Sequence, residues 1–370
     1  MTIDRALVPL RVASVTHLTR DAIAVTFAVP HEARDRFQFV PGQFLTLDAE
    51  IAGERVRRAY SICSLSPGDD LRVGIKRVAG GRFSTWAHTA LVPGATILAA
   101  PPDGRFGAVG NVAARAHYLG IAAGSGITPI LAIVGNVLAT EPQSRVTLVY
   151  GNRASSSMMF REELLALKDR YTARLSLVFV MSREPQEIAT FAGRIDRAKC
   201  DALFARWVDI ATVDRAFVCG PAEMMTQAVE SLAAHGLSGD RVRIERFAAT
   251  SVDTPDASVS RRAARVETAA ADDDICDARA TLDGRTFVFP IRRGTETVLD
   301  AGLRAGIELP YSCKGGVCAT CRAVLIEGEV DMDVHYALED YEIARGFVLL
   351  CQSYPASPTL AIDIDANATA

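Results

Sequence analysis

Tyr311-Ser312-Cys313-Lys314-Gly315-Gly316-Val317-Cys318-Ala319-Thr320-Cys321 is the stretch on which the reading of this chain turns, and Cys351 follows 30 positions later. The spacing, C-x4-C-x2-C with a distant fourth cysteine, suits a [2Fe–2S] cluster, in which four thiolates serve two irons. Three ligands on a tight loop and one from a remote segment can enclose such a rhomb. Gly315 and Gly316 let the backbone approach, so that amide N–H groups point at the sulfurs and offset the negative charge of the cluster. Structural zinc on the same cysteines is the alternative, but zinc usually takes two short C-x2-C clips and one pair here has that spacing. Cys313, Cys318, Cys321 and Cys351 are thus the expected metal ligands.

Upstream of this loop, Ala278–Leu282 and Arg285–Phe289 flank Asp283-Gly284, a hairpin signal, and a short helix is expected over Val298–Ala305. Residues 276–370 form the expected ferredoxin-like block, α+β in class. Residues 249–275 are Ala, Ser, Thr, Asp and Arg with almost no large apolar side chain. No core is built from such a composition, and as a flexible linker it would reach about 30 Å.

Two further blocks precede the linker. Residues 1–110 hold short β-rich segments, among them Ala22–Val29, Phe44–Asp48 and Leu71–Lys76, punctuated by Gly and Pro. They predict a small antiparallel β-barrel. Residues 111–248 alternate apolar strands (Tyr118–Ala123, Arg145–Tyr150, Leu175–Ser182, Ala216–Cys219) with helices, which predicts an α/β parallel sheet of the nucleotide-binding kind.

The bulk numbers exclude several classes. The chain has 370 residues and a net charge of −4, which argues against a nucleic-acid binder. From Cys276 onward there are 14 acidic and 8 basic residues, a net of −6, leaving +2 for the rest. That acidity is either a docking face for a basic partner, with Glu327, Glu329, Asp331 and Asp333 as candidates, or a solubilising surface. No apolar run approaches the roughly 18–20 residues of a membrane span. The first ten residues lack a signal-peptide pattern, so the expected location is cytoplasmic. The six histidines (17, 31, 88, 117, 235, 335) form no H-E-x-x-H or similar motif.

Arg58-Ala59-Tyr60-Ser61 follows Pro41-Gly42-Gln43-Phe44. A flavin site needs a cation for the pyrophosphate, an aromatic against the flavin and a hydroxyl near N5. Arg58, Tyr60 and Ser61 supply these in order. Gly80-Gly81-Arg82-Phe83-Ser84 is either a Gly-rich turn opening a helix, with N–H groups for a phosphate, or an ordinary loop. Gly124-Ser125-Gly126-Ile127-Thr128-Pro129 lies between a strand and a helix, the context of a dinucleotide pyrophosphate. Cys219-Gly220-Pro221 repeats the logic at a later strand end. Cys219 either faces the nicotinamide or is a buried thiol packing as a small hydrophobe. After the second strand come Arg153, three serines and Arg161, and no acid stands there to accept a ribose 2′-OH. Basic and hydroxyl groups in that place favour NADPH over NADH.

The order R-x-Y-S, G-S-G-I-T-P, C-G-P and C-x4-C-x2-C resembles the oxygenase reductases of the ferredoxin–NADP reductase superfamily that carry a C-terminal plant-type ferredoxin domain, of β-grasp fold. Tyr150-Gly151-Asn152-Arg153, Ser157-Met158-Met159-Phe160 and Glu245-Arg246-Phe247 belong to the same likeness. The resemblance implies FAD held by Arg58, Tyr60, Ser61, Gly81, Phe83 and Ser84. It implies a dinucleotide held at Gly124, Gly126, Thr128, Arg153 and Gly220. Thr128 would lie near the flavin–nicotinamide contact and Phe247 near the flavin ring, with Ser61, Thr128 and Cys219 as the catalytic group. It further implies a relay from NADPH through FAD and the cluster to the diiron oxygenase components of a larger complex. The alternative is the reductase of a steroid or aromatic-ring hydroxylase.

Overall fold

The structure, a computed structural model, describes residues 7–65, 70–107, 115–247 and 274–368. Most of the expected linker, residues 249–273, lies outside the described residues. Among the described residues the chain forms two compact units, one from residues 7–56 and 60–246 and the other from residues 57–59 and 247–368.

The first unit begins with a six-stranded sheet in the order β4-β3-β6-β1-β2-β5. Its strands are β1 Val8–Thr19, β2 Ala22–Ala28, β3 Phe44–Ile51, β4 Glu54–Ser61, β5 Leu71–Lys76 and β6 Thr96–Ala99. The pairings of β1 with β2 and β6, of β2 with β5 and of β3 with β6 are all antiparallel. An antiparallel bridge from Ile62, just past β4, to Val73 in β5 joins the two edges, so the sheet closes as the expected barrel. Strand periodicity sends Leu10, Val12, Ile23, Val25, Leu45, Leu47, Val73 and Ile75 inward. Helix α1 (Arg82–Ala90) adds Phe83 and Ala87 to that core. Ala52 (φ +54°) and Gly53 (φ +76°) make the tight turn between β3 and β4, as a two-residue hairpin requires.

The same unit continues with a parallel sheet ordered β11-β10-β7-β8-β9. Its strands are β7 His117–Ala123, β8 Arg145–Asn152, β9 Leu175–Met181, β10 Arg215–Cys219 and β11 Val242–Glu245. Strands buried on both faces read as unbroken apolar runs, which is why β7 and β8 are so hydrophobic. On one face Tyr118, Leu148 and Tyr150 pack with Ile130, Leu131 and Val134 of α2 (Ile127–Thr140) and Leu164 of α3 (Arg161–Arg170). On the other, Leu119, Ile121, Val149 and Val218 pack with Leu203 of α4 (Arg197–Phe204) and Met225 and Leu232 of α5 (Ala222–Ala234). Barrel residues Ala22, Ala24 and Cys63 share the first of these cores. Arg72 of β5 clasps Glu163 of α3 with two hydrogen bonds of 3.1 and 2.6 Å.

The second unit carries a five-stranded mixed sheet ordered β13-β12-β18-β14-β16, with β12 Ile275–Leu282, β13 Arg285–Arg292, β14 Arg322–Glu327, β16 Phe347–Leu349 and β18 Thr359–Asp363. β12 runs parallel to β18 and antiparallel to β13. β15 (Val330–Met332) and β17 (Ser353–Pro355) form a separate ribbon. The hairpin forms at Asp283 (φ +52°) and Gly284 (φ +70°), whose N–H groups both donate to the Asp365 carboxylate at 2.8 Å. The short helix spans Val298–Arg304 and is capped by Thr297, whose hydroxyl accepts the Asp300 N–H. No helix among the described residues is long and apolar enough to cross a membrane.

Candidate functional site

The cysteine loop precedes β14, and Cys351 follows β16, which pairs with β14. The distant ligand is thus brought back by strand pairing, and the Leu350 N–H donates to the Cys321 carbonyl at 3.0 Å. Cys313 and Cys318 contact each other, as do Cys321 and Cys351, and Cys351 also meets Cys313. Hydrogen bonds from Cys318 and then Cys351 hold the Cys313 thiol well below the usual range, while the same contacts push Cys318 and Cys351 up.

These residues fit a two-iron cluster. The Gly315 N–H donates to Cys313 Sγ at 3.3 Å, and the Gln352 amide donates to Cys351 Sγ at 3.5 Å. The Ser312 hydroxyl is buried in the loop without a partner, a donor that a cluster sulfur would satisfy. Lys314 (φ +51°) and Ala319 (φ +54°) adopt left-handed backbone, strain of the kind held at ligand clamps, and Gly316 (φ +72°) adopts it without that cost. A Cβ on Gly316 would come within 2.7 Å of Val334 Cγ2. Among the described residues no three His, Cys, Asp or Glu side chains gather around a point fit for one metal ion. A two-iron cluster takes its ligands as two pairs, and Cys313 with Cys318 and Cys321 with Cys351 are pairs in contact here.

The first unit brings together residues far apart in sequence. Ser61, at the end of β4, donates its hydroxyl to Glu245 Oε2 at 3.3 Å. Glu245 ends β11, where it pairs in register with Cys219 of β10. Burial pushes the Glu245 carboxyl up to about 8, and the Ser61 hydrogen bond partly opposes that shift. Cys219 is fully buried, and burial and then the Glu245 charge push its thiol up, so it sits at the junction as a neutral thiol.

The Gly-Ser-Gly turn abuts the same place. A Cβ on Gly126 would lie 2.2 Å from the Cys219 carbonyl oxygen, and one on Gly220 would lie 2.7 Å from Met224 Cε. Thr128 is buried, its hydroxyl donating to the Ser125 carbonyl at 3.0 Å and so bracing the turn. Its methyl would be 2.7 Å from a Cβ on Gly74 of β5. Lys76, also on β5, brings its ammonium within 3.9 Å of the point where a Gly124 Cβ would lie. Lys76 does not stand out as a functional residue in the sequence, and Glu245 figures there only within the Glu245-Arg246-Phe247 likeness, with no role of its own.

For the flavin, Tyr60 and Phe83 have ring centroids 5.5 Å apart, and Phe83 and Trp86 5.4 Å apart. Gly81 caps α1 without a side-chain hydrogen bond to its first turn, the arrangement that presents helix N–H groups to a phosphate. The buried Ser84 hydroxyl is engaged within that turn, accepting from the Val78 N–H at 3.1 Å and donating to the Gly81 carbonyl at 3.3 Å. Arg58, half-buried on β4, donates to the Arg57 carbonyl at 2.7 Å. Phe247 lies two residues beyond β11 with 39 % of its surface exposed.

At the end of β8, Arg153 and Arg161 are exposed. The expectation that no acid stands there needs correction, because Glu184, three residues beyond β9, accepts both the N–H and the hydroxyl of Ser155. The acidic patch on the second unit is also smaller than expected. Asp333 is buried, and Glu327 pairs with Arg279 at 2.6 Å.

A closed antiparallel barrel, a parallel nucleotide-binding sheet and a four-cysteine cluster loop define a flavin- and pyridine-nucleotide-dependent iron–sulfur oxidoreductase. Models of the oxidoreductase FAD-binding domain, the oxidoreductase NAD-binding domain and the 2Fe-2S iron-sulfur cluster binding domain match residues 9–107, 121–230 and 280–356. The chain belongs to a family of oxygenase reductase components. One relative is a component of the 1,2-phenylacetyl-CoA epoxidase of Escherichia coli, with which it shares 43 % identity over 98 % of both chains. It is also 34 % identical, over 96 % of each chain, to the ferredoxin reductase component of the 3-ketosteroid-9-alpha-monooxygenase of Rhodococcus rhodochrous. Phthalate dioxygenase reductase has the same fold, with a TM-score of 0.59 and 21 % identity over 98 % of this chain and all of that one. Bound FAD supplies hydride acceptance to such a chain, and the cluster supplies one-electron carriage.

Proposed function

We propose that this chain is the NADPH-dependent reductase of a diiron oxygenase that epoxidises phenylacetyl-CoA, delivering electrons from NADPH by way of FAD and a [2Fe–2S] cluster. The end-to-end likeness to a component of a phenylacetyl-CoA epoxidase carries this reading. Arg58, Tyr60, Ser61, Gly81, Phe83 and Ser84 are the proposed FAD contacts, with Phe247 near the ring. In that set Ser84 shapes the turn and leaves the backbone N–H groups to the phosphate. Gly124, Gly126, Thr128, Arg153 and Gly220 are the proposed dinucleotide contacts, and Lys76 joins them as a cation at the pyrophosphate turn. Ser61, Cys219 and Thr128 frame the hydride path, with Glu245 behind Ser61. Cys313, Cys318, Cys321 and Cys351 are the proposed cluster ligands. The corresponding divisions are 1–110, 111–248 and 276–370.

Coupled turnover tests the reading. Purified epoxidase oxygenase and 3-ketosteroid oxygenase are each supplied with this reductase and with NADPH or NADH. Epoxide formation with NADPH above NADH, and no steroid hydroxylation, is the expected result. Steroid hydroxylation alone would move the chain to that second class of oxygenase.

A further inference from the structure

We propose that the Glu184 carboxylate occupies the anion cradle meant for the ribose 2′-phosphate of NADPH, and that it must leave Ser155 before that phosphate binds. The proposal rests on the reading of NADPH as the donor.

In a doubly wound sheet the ribose that follows the first-turn pyrophosphate lies at the end of the adjacent strand. Here that is the end of β8. The β8–β9 ladder continues past both strands, with Ser182 N–H donating to the Asn152 carbonyl and Arg183 N–H to the Arg153 carbonyl, each at 2.8 Å. This continuation carries Glu184 level with Ser155. One carboxylate oxygen accepts the Ser155 N–H at 2.6 Å, and the other accepts its hydroxyl at 2.7 Å. Two short charge-assisted bonds from one residue are the donors a phosphate would use. The Ser155 bonds hold the Glu184 carboxyl below the usual carboxylate range, and Arg161 adds to that effect. Arg153 and Arg183 lie in the same two loops, and Arg161 opens the helix α3 that follows the first of them. The surroundings thus suit an anion, and the protein supplies one of its own. An incoming dianion meets both a competitor for Ser155 and a like charge. NADH brings a neutral ribose hydroxyl and faces no such exchange.

Calorimetric titration of the FAD-loaded, full-length reductase with NADP+, NAD+ and 2′-AMP tests this. In Glu184→Ala the preference for NADP+ over NAD+ should rise about tenfold, and 2′-AMP should tighten in parallel. Glu184→Gln keeps an acceptor for Ser155 without the charge and should lie between. Ser155→Ala removes a cradle donor and should weaken 2′-AMP binding. A preference that is unchanged or falls in Glu184→Ala overturns the proposal. A fall carried by weaker NAD+ binding would show instead that the carboxylate accepts the ribose 2′-OH. The donor reading is judged separately, by the wild-type preference: a wild type that binds NAD+ more tightly defeats it, whatever the substitution does.

Discussion

Glu245 shows what burial does to one ionisable group. Its carboxyl rises from an ordinary 4.5 to about 8 because desolvation outweighs the hydrogen bond from Ser61. Between those two values the folded chain keeps a proton that the unfolded chain has released. The contribution to stability is therefore complete below about 4.5 and is lost as the pH rises through about 8. Urea midpoints followed by flavin fluorescence should fall from pH 5 to pH 8.5 in the wild type and fall less in Glu245→Gln; parallel falls would clear Glu245 of the effect. The Ser61 hydrogen bond lowers the Glu245 pKa, so Ser61→Ala should move the associated step in the NADPH–ferricyanide pH profile to higher pH. A step that stays in place would separate the hydroxyl from the carboxyl.

At the scale of elements, the junction depends on a turn and a strand end meeting without side chains between them. A Cβ on Gly126 would sit 2.2 Å from the Cys219 carbonyl oxygen, an overlap with backbone that no rotamer relieves. Gly126→Ala should cost about 1–3 kcal/mol of stability. It should weaken NADP+ binding more than about tenfold, since the turn that receives the pyrophosphate moves. FAD absorbance per chain should be retained, because the barrel does not contribute to that overlap; calorimetry and the visible spectrum check both halves. The turn itself is legible in sequence because strand, glycines and helix are contiguous, and so are the Asp283-Gly284 hairpin and the cysteine loop. Glu245 is not, because it reaches Ser61 across 184 residues through the β10–β11 pairing. Lys76 and Glu184 escape for the same reason. Lys76 on β5 and Glu184 just past β9 each meet the end of a different strand, and sequence spacing carries no record of which strands pair. β11 leaves no clear trace either, since Val242–Glu245 is only four residues long and lies at a sheet edge.

At the scale of the molecule, the two units hold separate cores. Cys321 and Cys351 belong to the core of the second unit, among Leu349, Leu350, Phe347 and Ala323. The barrel and nucleotide-sheet cores contain none of these residues. Cys351 also differs from the loop cysteines in depending on the β14–β16 pairing for its position, so its place at the site is made only when that sheet has formed. Cys351→Ser should therefore abolish the cluster's iron and visible absorption while FAD stays bound. NADPH–ferricyanide turnover should remain within about twofold of wild type, since substitutions in separate cores act independently. Electron delivery to an oxygenase should fall to background, because the one-electron outlet is gone. Iron and flavin analysis of the same sample distinguishes the outcomes. Joint loss of FAD and iron would mean that the two units fold as one and that the cluster is part of the flavin unit's stability.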